Sequence, residues 1–532
     1  MPMMTGGEAL ARSLHREGIR TIFGLPGVQI YHALDGIAKE PEIRFITTRH
    51  EQATTYMADG YARASGRIGS SLVVPGPGLL NATAGIGTAF SASSPILVIS
   101  GQIETGRINQ DVGVLHEVHD QLEVVRNISK WRAQVLNTAD IPKAIRRAFL
   151  ELRTGRPRPV VIEIPSDVLS AEGVVELLEP GTPPPPSGDN DLMEEAAQAL
   201  MSARKPLIWA GSGVISAGGS DAMVKLAELL AAPVITTGEG KGAISDDHYL
   251  SLGVARGPTD PLRELVHDSD LILAIGTRFA TAMPHKTQQV IQIDIDSEEV
   301  GRNHERTLGI TADARVAIEQ LLSLVSPQQT EDSDRMRAFE SFRANRHTPS
   351  TLLEPQGSFV RELRSVIPSD GILVTDMTQV GYYSRTYYKT YEPRTFMTSS
   401  YFGNLGYAYP TGLGAKVACP DKAVVTISGD GGFLFNSQEL ATAVAEDIGV
   451  VAVVFRDDAY GNVLRDQQNK FDGRELGSRL HNPDFVKLAE SYGVRGTRVE
   501  SPSELGVALK NAIQLNRPAL IEVPVGPMPS GF

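Results

Sequence analysis

Residues 423–462 read AVVTISGDGGFLFNSQELATAVAEDIGVVAVVFRDDAYGN. Two runs in this segment, AVVTIS and IGVVAVVF, are apolar on both faces, which is typical of strands in a parallel sheet that is buried between helices. The intervening FLFNSQELATAVAED predicts a helix, so the segment predicts a strand–helix–strand unit. Because GDGG and RDDAYG each follow a strand, we expect both to lie at the carboxyl edge of one sheet, where open α/β sheets bind ligands.

The two turns carry residues that suit an anion and a metal ion. The glycines of GDGG allow a sharp turn and let backbone N–H groups approach an anion, and the N-terminus of the following helix favours phosphate. Asp430 and one of Asp457 or Asp458 would lie side by side, and such oxygen ligands together with a diphosphate suit Mg²⁺. The alternative is a pair of ordinary Asp-Gly turns after strands, without a ligand.

The same alternation of apolar runs and helix-like stretches extends over the whole chain. A Pro/Gly-rich linker at 178–191 and a polar, charged linker at 326–335 interrupt it. We therefore predict an α/β protein of three doubly wound parallel-sheet domains, at residues 1–178, 190–325 and 345–532.

Composition limits the compartment and the partners. The chain has 532 residues, a formal net charge of −13 and a single cysteine, Cys419, so an intrachain disulfide is excluded and a cysteine-based metal cluster is not expected. The acidic balance argues against nucleic acid and anionic membranes as partners. No apolar run reaches the ~20 residues that a membrane-spanning helix needs, and the N-terminus lacks the pattern of a signal peptide, so we expect a cytoplasmic protein.

The spacing of the two acidic turns is a motif in itself. GDG, followed after 24 residues (432–455) by RD, resembles the signature of thiamine-diphosphate-dependent enzymes. The resemblance implies that Asp430, Asp457 and the main-chain carbonyl of Ala459 bind Mg²⁺. The usual closing pair is Asn-Asn, so Asp457 adds a negative charge beside the diphosphate, and we hypothesise that Arg456 offsets it.

A second segment supports the same family. TTRHEQATTYMADGYARASG (47–66) resembles the segment that carries the activating glutamate of these enzymes. The resemblance implies that Glu51 hydrogen-bonds N1′ of the cofactor's pyrimidine and helps to form the reactive ylid. The chain is also similar to the acetolactate synthase branch in all three predicted domains, at residues 73–102, 154–168, 269–279, 293–303 and 482–494.

The resemblance implies which residues contact the cofactor. In the segment 399–416, Leu405 would support the bent cofactor and the carbonyl of Gly403 would accept from its 4′-amino group. The backbone N–H groups of Gly431 and Gly432 would donate to the phosphates. The full set of cofactor-binding candidates is Glu51, Asn81, Thr378, Gln379, Gly403, Leu405, Gly431, Gly432 and Tyr460.

Substrate handling is expected in GVLHEVHDQLEVVRNISKW (113–131), where acetolactate synthases carry a Phe-Gln-Glu element and pyruvate decarboxylases carry paired histidines nearby. His116 and His119 are three residues apart and would share a face if the segment is helical. Both are catalytic candidates because histidine suits proton transfer, and so is Gln29, which could hydrogen-bond a substrate carbonyl. Two surface histidines without a role are the alternative.

The resemblance implies a thiamine-diphosphate- and Mg²⁺-dependent carboligase. Such an enzyme acts on a 2-oxo acid donor through a carbanion–enamine intermediate and transfers it to a carbonyl acceptor. The histidines, and a chain that stops soon after its last predicted strand where synthases continue with a tail, keep a 2-oxo acid decarboxylase or a C–C bond lyase as alternatives. A cofactor-binding homologue without turnover is the second alternative.

Two further implications concern assembly and flavin. In this family the glutamate-bearing domain of one subunit meets the diphosphate-binding domain of another, which implies a homodimer or a homotetramer with interface active sites. The synthases also bind FAD in the central domain, and Arg156 aligns with a flavin-contacting arginine. The segments TRFATAMPHK (277–286) and GVARGPTDP (253–261) depart from the flavin pattern, so FAD stays open.

Overall fold

The computed structural model of the chain describes residues 2–255, 260, 262–280, 284–327, 333–346 and 353–530. Its internal contacts divide the chain into two units. The first unit comprises residues 1–183, 372–378 and 398–527, and the second comprises residues 184–371, 379–397 and 528–532.

The N-terminal domain is built on a parallel sheet with helices on both of its faces. Its strands are β1 Met3–Thr5, β2 Thr21–Gly24, β3 Arg44–Thr47, β4 Gly69–Val73, β5 Ile96–Gln102, β6 Trp131–Gln134, β7 Val160–Pro165 and β8 Glu172–Val174. The first and the last, β1 and β8, form a separate antiparallel pair. The six sheet strands run in the order β3-β2-β4-β5-β7-β6, and every pairing is parallel. The helices are α1 Gly6–Arg16, α2 Tyr31–Ala38, α3 Glu51–Ser65, α4 Pro77–Ala92, α5 Gln121–Val124, α6 Ile141–Arg153 and α7 Ser166–Ser170.

The central domain, in the second unit, repeats this architecture. Its strands are β9 Pro206–Ala210, β10 Val234–Thr236, β11 Ser251–Val254, β12 Leu271–Ile275, β13 Gln289–Asp294 and β14 Thr307–Thr311. They run in the order β11-β10-β9-β12-β13-β14, all parallel. The helices are α8 Asn190–Ser202, α9 Ser212–Ser216, α10 Ser220–Leu229, α11 Leu262–Asp268, α12 Ala314–Leu324 and α13 Ser333–Arg346.

The C-terminal part of the chain supplies the third parallel sheet. Its strands are β15 Ile372–Thr375, β16 Phe396–Thr398, β17 Val424–Gly429, β18 Val450–Arg456, β19 Arg495–Arg498 and β20 Ala519–Pro524. Within the first unit the order is β15-β17-β18-β20-β19, with every pairing parallel. The helices are α14 Gln356–Val366, α15 Gln379–Tyr387, α16 Ala408–Ala418, α17 Asp430–Phe433, α18 Leu440–Ala445, α19 Gly461–Lys470, α20 Phe485–Ser491 and α21 Pro502–Leu515.

Within the first unit, α3 and α16 pack with their backbones in contact. A Cβ atom added to Gly60 would lie 2.0 Å from the carbonyl oxygen of Thr411, and one added to Gly414 would lie 1.9 Å from that of Met57. Only glycine allows so close an approach of two helices. The contact therefore joins the N-terminal and C-terminal domains of one chain and fixes the helix that begins with Glu51.

The prediction of three doubly wound parallel-sheet domains is confirmed, but one predicted helix is wrong. The segment 433–447 was expected to be a single helix; α17 ends at Phe433 and α18 begins at Leu440. The backbone leaves the helix where the side-chain amide of Asn436 donates to the carbonyl of Gly406 at 2.7 Å. None of the helices in the described ranges is long and apolar enough to cross a bilayer.

Candidate active site

The register of β17 and β18 brings the two acidic turns together. Gly429 pairs with Phe455, so the residues that follow each strand leave the same carboxyl edge side by side. Asp430 begins α17 directly after β17, and Asp457 directly follows β18, whose last residue is Arg456. The expectation that the two turns lie side by side at the carboxyl edge of one sheet is therefore met in the structure.

Asp430 is held by backbone and amide donors. Its Oδ1 accepts from the N–H of Gly431, and its Oδ2 accepts from the N–H of Asp458 and from Nδ2 of Asn482, each at 2.8 Å. Burial raises the pKa of Asp430, and the charge of Asp458 adds to this effect, while these donors oppose it. The carboxylate is thus fixed in direction, with one of its three N–H donors coming from the second acidic turn.

The negative charge of Asp430 acts on the carboxyl group of Asp457. Burial raises the pKa of Asp457 to about 6, and the charge of Asp430 is the next cause, while the N–H of Ala459 donates to it and lowers the pKa. Asp458, by contrast, is exposed and adopts a left-handed backbone with φ 53°. Both aspartates of the second turn lie close to Asp430, since Nδ2 of Asn482 donates to Asp430 and to Oδ1 of Asp458 at 2.9 Å, and Asp457 is the more buried of the two.

This arrangement fits a hard divalent cation. Two partly buried carboxylates that repel each other gain from a cation between them, and oxygen donors suit Mg²⁺. Ala459 forms an isolated antiparallel bridge with Arg479, in which the hydrogen bonds come from neighbouring residues, so its own carbonyl is directed away from that segment. The described residues contain no group of three or more His, Cys, Asp or Glu side chains arranged for a metal, so further ligands would have to come from a bound molecule or water.

Arg456 does not contact Asp457 in the described structure. Its Nη1 donates to Oε1 of the buried Glu522 at 2.5 Å, and its Nε lies 3.4 Å from Oδ1 of Asp458. Arg498 binds the same Glu522 carboxylate from the other side at 2.8 Å. The hypothesis that Arg456 offsets the extra charge of Asp457 therefore finds no direct contact to support it.

Asp376 is a site residue that the sequence analysis missed. It is buried at the end of β15, and its Oδ2 accepts from the N–H of Gly406 at 3.1 Å and of Ala408 at 3.4 Å. A Cβ added to Gly432 would lie 3.4 Å from the same oxygen. Burial raises the pKa of Asp376 to about 6, although backbone N–H donors oppose it. Its position after a strand, at the carboxyl edge, was the available signal.

In the first turn, packing requires glycine at position 431 but leaves room for a Cβ at Gly432. A Cβ on Gly431 would lie 2.6 Å from the ring of Tyr460, so these two candidates are in contact. The N–H of Gly431 already donates to Asp430, whereas Gly432 lies beside Asp376. We call the carboxyl edge of β15, β17 and β18, with Asp376, Asp430 and Asp457, the acidic edge. Both glycines lie on it.

The remaining cofactor candidates lie in two neighbouring segments. Thr378 lies beside Gly429, 3.7 Å from where a Cβ of that glycine would be. Gly403 is exposed with φ 67°, and a Cβ there would lie 3.6 Å from the side chain of Met377. Leu405 is half-buried. Gln379 begins α15 and belongs to the second unit.

Glu51 begins α3 and is only 8 % exposed. Its Oε2 accepts from Nδ2 of Asn81, on α4, at 3.0 Å, so the structure brings these two candidates together. The loop before Glu51 is held by the fully buried Glu439, whose carboxylate accepts from the N–H of Arg49 at 3.1 Å to both oxygens. No hydrogen bond or ion pair among the described residues joins Glu51 or Asn81 to the acidic edge of the same chain.

Gln29 and His116 form a pair, but His119 does not join them. Nδ1 of His116 lies 2.9 Å from Oε1 of Gln29, while Nε2 of Gln29 donates to the carbonyl of Leu115 at 3.0 Å. Because the amide nitrogen is committed to Leu115, Oε1 is the acceptor and Nδ1 of His116 carries the proton. The premise of a helix is wrong: His116 is in a turn with φ 67°, and His119 is exposed in the next turn.

The central domain gives no independent support for a flavin. A Cβ on Gly211 would lie 2.1 Å from the carbonyl oxygen of Gly276, and one on Gly213 would lie 2.5 Å from its Cα, so these glycines are explained by backbone packing. Nε of Arg156 donates to the hydroxyl of Ser93 at 2.9 Å. Parts of the two segments that depart from the flavin pattern, residues 256–259, 261 and 281–283, lie outside the described residues.

Comparison with known proteins identifies the chain's relatives. Residues 4–124, 193–321 and 376–523 match family models described as the N-terminal TPP binding domain, the central domain and the C-terminal TPP binding domain of thiamine pyrophosphate enzymes. A probable acetolactate synthase large subunit of Methanococcus aeolicus is 36% identical, with 98% of this chain and 92% of that protein covered. The acetolactate synthase isozyme 3 large subunit of Escherichia coli is 32% identical, with 99% and 95% covered. A probable 2-ketoarginine decarboxylase of Pseudomonas aeruginosa is 35% identical, with 98% and 94% covered.

Proposed function

Because the chain belongs to the thiamine pyrophosphate enzyme family, with acetolactate synthase large subunits among its relatives, we propose that it is a carboligase that joins a 2-oxo acid donor to a second carbonyl compound. The observation that carries the proposal is the buried, oriented Glu51–Asn81 pair. A carboxyl group held in this way suits proton exchange with the pyrimidine of thiamine diphosphate. When bound, thiamine diphosphate supplies the electron sink that allows a 2-oxo acid to lose CO₂.

The acidic edge would hold the diphosphate through Mg²⁺. We assign Asp430, Asp457 and the carbonyl of Ala459 as the metal ligands, since the charge of Asp430 acts on the partly buried Asp457, whereas the Asp458 side chain is exposed and accepts from Asn482. The cation would lower the repulsion between the two aspartates and leave positions for phosphate oxygens. Asp376 would hold the segment of Gly406 and Ala408 against the edge, which keeps the neighbouring Gly403 and Leu405 in place.

Other candidates are assigned by position. Gly431, Gly432 and Thr378 line the acidic edge and would contact the phosphates, while Tyr460 packs against Gly431. Gln379 follows Thr378 directly in the chain, and its contact with the diphosphate is proposed on the family pattern alone. A bound flavin stays open, and visible absorbance of the purified holoenzyme would decide whether FAD is present.

His116 would handle the proton of the substrate. Gln29 accepts from Nδ1–H, which leaves Nε2 as the nitrogen that can accept or donate a proton. Because His116 is only partly buried, it can exchange protons with water between turnovers. We do not expect His119 to share this role, because it is exposed.

The pair of His116 and Gln29 also favours a second candidate function. A histidine that delivers a proton to the substrate carbon after CO₂ has left would make the enzyme a 2-oxo acid decarboxylase, and one relative carries the name of a probable decarboxylase. A C–C bond lyase would use the same residues in the reverse direction. A homologue that binds the cofactor without turnover would have no need of an oriented Glu51.

We also propose that the sites form between two copies of the chain, in a homodimer or a homotetramer. Glu51 and the acidic edge have no described contact in one chain, and large apolar side chains are exposed on both domains of the first unit. These include Leu80 and Leu115 near the N-terminal site residues, and Tyr401 and Phe435 near the C-terminal ones. Covering such side chains is what a second copy would achieve.

The function is tested on purified protein with thiamine diphosphate, Mg²⁺ and a panel of 2-oxo acids, with and without aldehyde acceptors. CO₂ release and products are followed by mass spectrometry, with Glu51→Gln as the inactive variant and Glu490→Gln, at an exposed position, as the matched control. Ligation products that disappear only in Glu51→Gln support the carboligase. Aldehyde as the sole product transfers the assignment to a decarboxylase, and no turnover from any donor overturns both.

The assembly is tested by co-expressing Glu51→Gln and Asp430→Asn chains. Each variant alone is expected to be inactive. If the two residues act across an interface, random mixing gives hybrids in which one site is intact, and about a quarter of the parent sites are restored. If the co-expressed sample stays as inactive as each variant, the sites are formed within single chains and the proposal of interface sites fails.

A further inference from the structure

Glu163 is an unusual buried carboxylate outside the residues assigned above. It lies on β7 and is 2 % exposed. Its described donors are three glutamine amides: Nε2 of Gln121 at 2.7 Å and of Gln102 at 3.3 Å to Oε2, and Nε2 of Gln134 at 2.5 Å to Oε1. Burial raises the pKa of Glu163, and the three amides only partly oppose this. Such a group is costly to bury, so a role in the site would explain its presence.

Gln121 connects this carboxylate to the start of α4. It is 1 % exposed, and while its Nε2 donates to Glu163 and to the carbonyl of Gly101, its Oε1 accepts from the N–H of Gly76 at 3.1 Å. Gly76 is the residue immediately before α4, and no side chain of its own caps that helix. Asn81, which donates to Glu51, lies one turn further along α4. The buried network therefore supports the helix that orients Glu51.

The same network supports the segment that carries His116. Gln121 ends that segment and is locked by Glu163, and Gly76 lies against its middle. A Cβ on Gly76 would lie 2.5 Å from the carbonyl oxygen of His116, and Gly76 has φ 58°. A shift of Gly76 would therefore move both the start of α4 and the turn of His116.

We propose that Glu163 and Gln121 are positioning residues that set, through Gly76, both the Glu51–Asn81 pair and the His116–Gln29 pair. This inference rests on the proposed function. In this proposal the buried Glu163–Gln121 pair supports both Glu51, which would activate the cofactor, and His116, which would handle the substrate proton. Neither Glu163 nor Gln121 contacts a proposed ligand in this scheme, and their effect is exerted on distances and directions.

The chain offers a matched control for this proposal. Gln121→Leu and Gln134→Leu each remove one amide donor from Glu163, but only Gln121 is bonded to Gly76. A purely structural role of the buried carboxylate predicts that both substitutions lower stability, Gln121→Leu more because Gln121 is buried and Gln134 is exposed, and that neither changes the chemistry of the folded enzyme. A positioning role predicts that only Gln121→Leu changes the chemistry.

The experiment compares both variants with the parent enzyme loaded with thiamine diphosphate and Mg²⁺. Three quantities are measured: cofactor affinity, the rate of hydrogen–deuterium exchange at the reactive carbon of the bound cofactor, and the ratio of ligated product to aldehyde. For Gln121→Leu we expect kcat and the exchange rate to fall about tenfold to a hundredfold, a changed product ratio, and a KM for the donor within about threefold. Gln134→Leu should stay within about threefold in all of them.

Variants of the carboxylate itself complete the design. Glu163→Gln keeps an acceptor for Gln121 and should restore most of the activity that Glu163→Leu loses, because an amide can turn to suit its neighbours. Equal behaviour of Gln121→Leu and Gln134→Leu, in folded proteins, overturns the positioning role. Should the parent enzyme show no turnover at all, the proposed function fails, and the hydrogen–deuterium exchange still decides the inference for the Glu51 pair.

Discussion

The loop that enters the helix of Glu51 should impose a pH dependence on stability through Glu439. This carboxyl group is fully buried and accepts from the N–H of Arg49 and the hydroxyl of Thr442. Burial raises its pKa to about 7 from the ordinary 4.5, although these donors oppose the effect. The difference of about 2.5 pH units corresponds to about 3 kcal/mol, at about 1.4 kcal/mol per unit.

The sign of the effect follows from proton binding. The folded protein binds the proton of Glu439 more tightly than the unfolded chain does, because its folded pKa is the higher one. This group's contribution to the free energy of unfolding is therefore fully present below pH 4.5 and is lost as the pH rises through about 7. Replacing Glu439 with glutamine removes the titration, so the stability of Glu439→Gln minus that of the parent should increase by about 3 kcal/mol between pH 4.5 and about pH 8.

The assay uses the two tryptophans of the chain, Trp131 in the first unit and Trp209 in the second. In a Trp209→Phe background, denaturant unfolding followed by Trp131 fluorescence reports the unit that contains Glu439. Taking the difference between variant and parent at each pH removes the contribution of all other groups. Glu490→Gln, at an exposed position, should give a flat difference. A flat difference for Glu439→Gln as well would refute the reasoning.

Three further predictions concern the metal and the packing. Asp457→Ala should lose Mg²⁺-dependent retention of thiamine diphosphate on gel filtration, while Asp457→Asn and Asp458→Asn should retain it; loss in Asp458→Asn alone would move the ligand to that residue. Asn482→Ala removes a 2.8 Å donor from the Asp430 carboxylate and should weaken Mg²⁺ binding about tenfold by calorimetry; an unchanged affinity would contradict this. Gly414→Val should destabilise the protein by about 2 kcal/mol or more in thermal unfolding, whereas Gly106→Ala, where a Cβ meets nothing within 4 Å, should not; equal melting temperatures would refute the close helix contact.

The interior of the fold could be predicted from the sequence because the inner strands are apolar on both faces. Runs such as AVVTIS and IGVVAVVF correspond to β17 and β18. Of the edge strands, β3 was among the predicted runs, as IRFITT (43–48), whereas others escaped prediction because their sequences are mixed. RGTR in β19 and WRAQ in β6 are examples, and both lie at the ends of their sheets. The predicted helix 433–447 is interrupted where Asn436 donates to Gly406, a contact 30 residues away in sequence that has no local signal.

The site was predictable where it follows strands or motifs and unpredictable where distant segments meet. Asp430 and Asp457 come together because their strands are adjacent in the sheet. The partner of Asp430, Asn482, is 52 residues away in sequence and carries no local signal. Similarly, the proximity of Gln29 and His116 depends on two segments that are 87 residues apart in sequence. The expected pairing of His116 with His119 assumed a helix that the left-handed turn at His116 rules out.

The close contact of α3 with α16 has a consequence for proteolysis. At Gly60 and Gly414 the backbones of the two helices are in direct contact. No side chains that could rearrange independently lie between them at these positions. The proline-rich stretch 180–186 is mostly exposed and has no regular secondary structure, so it is a natural place for a protease to cut. The two pieces would nevertheless remain together, and the N-terminal and C-terminal domains of one chain would melt in a single transition. We therefore expect the helix pair to hold the two domains together without the covalent connection between them.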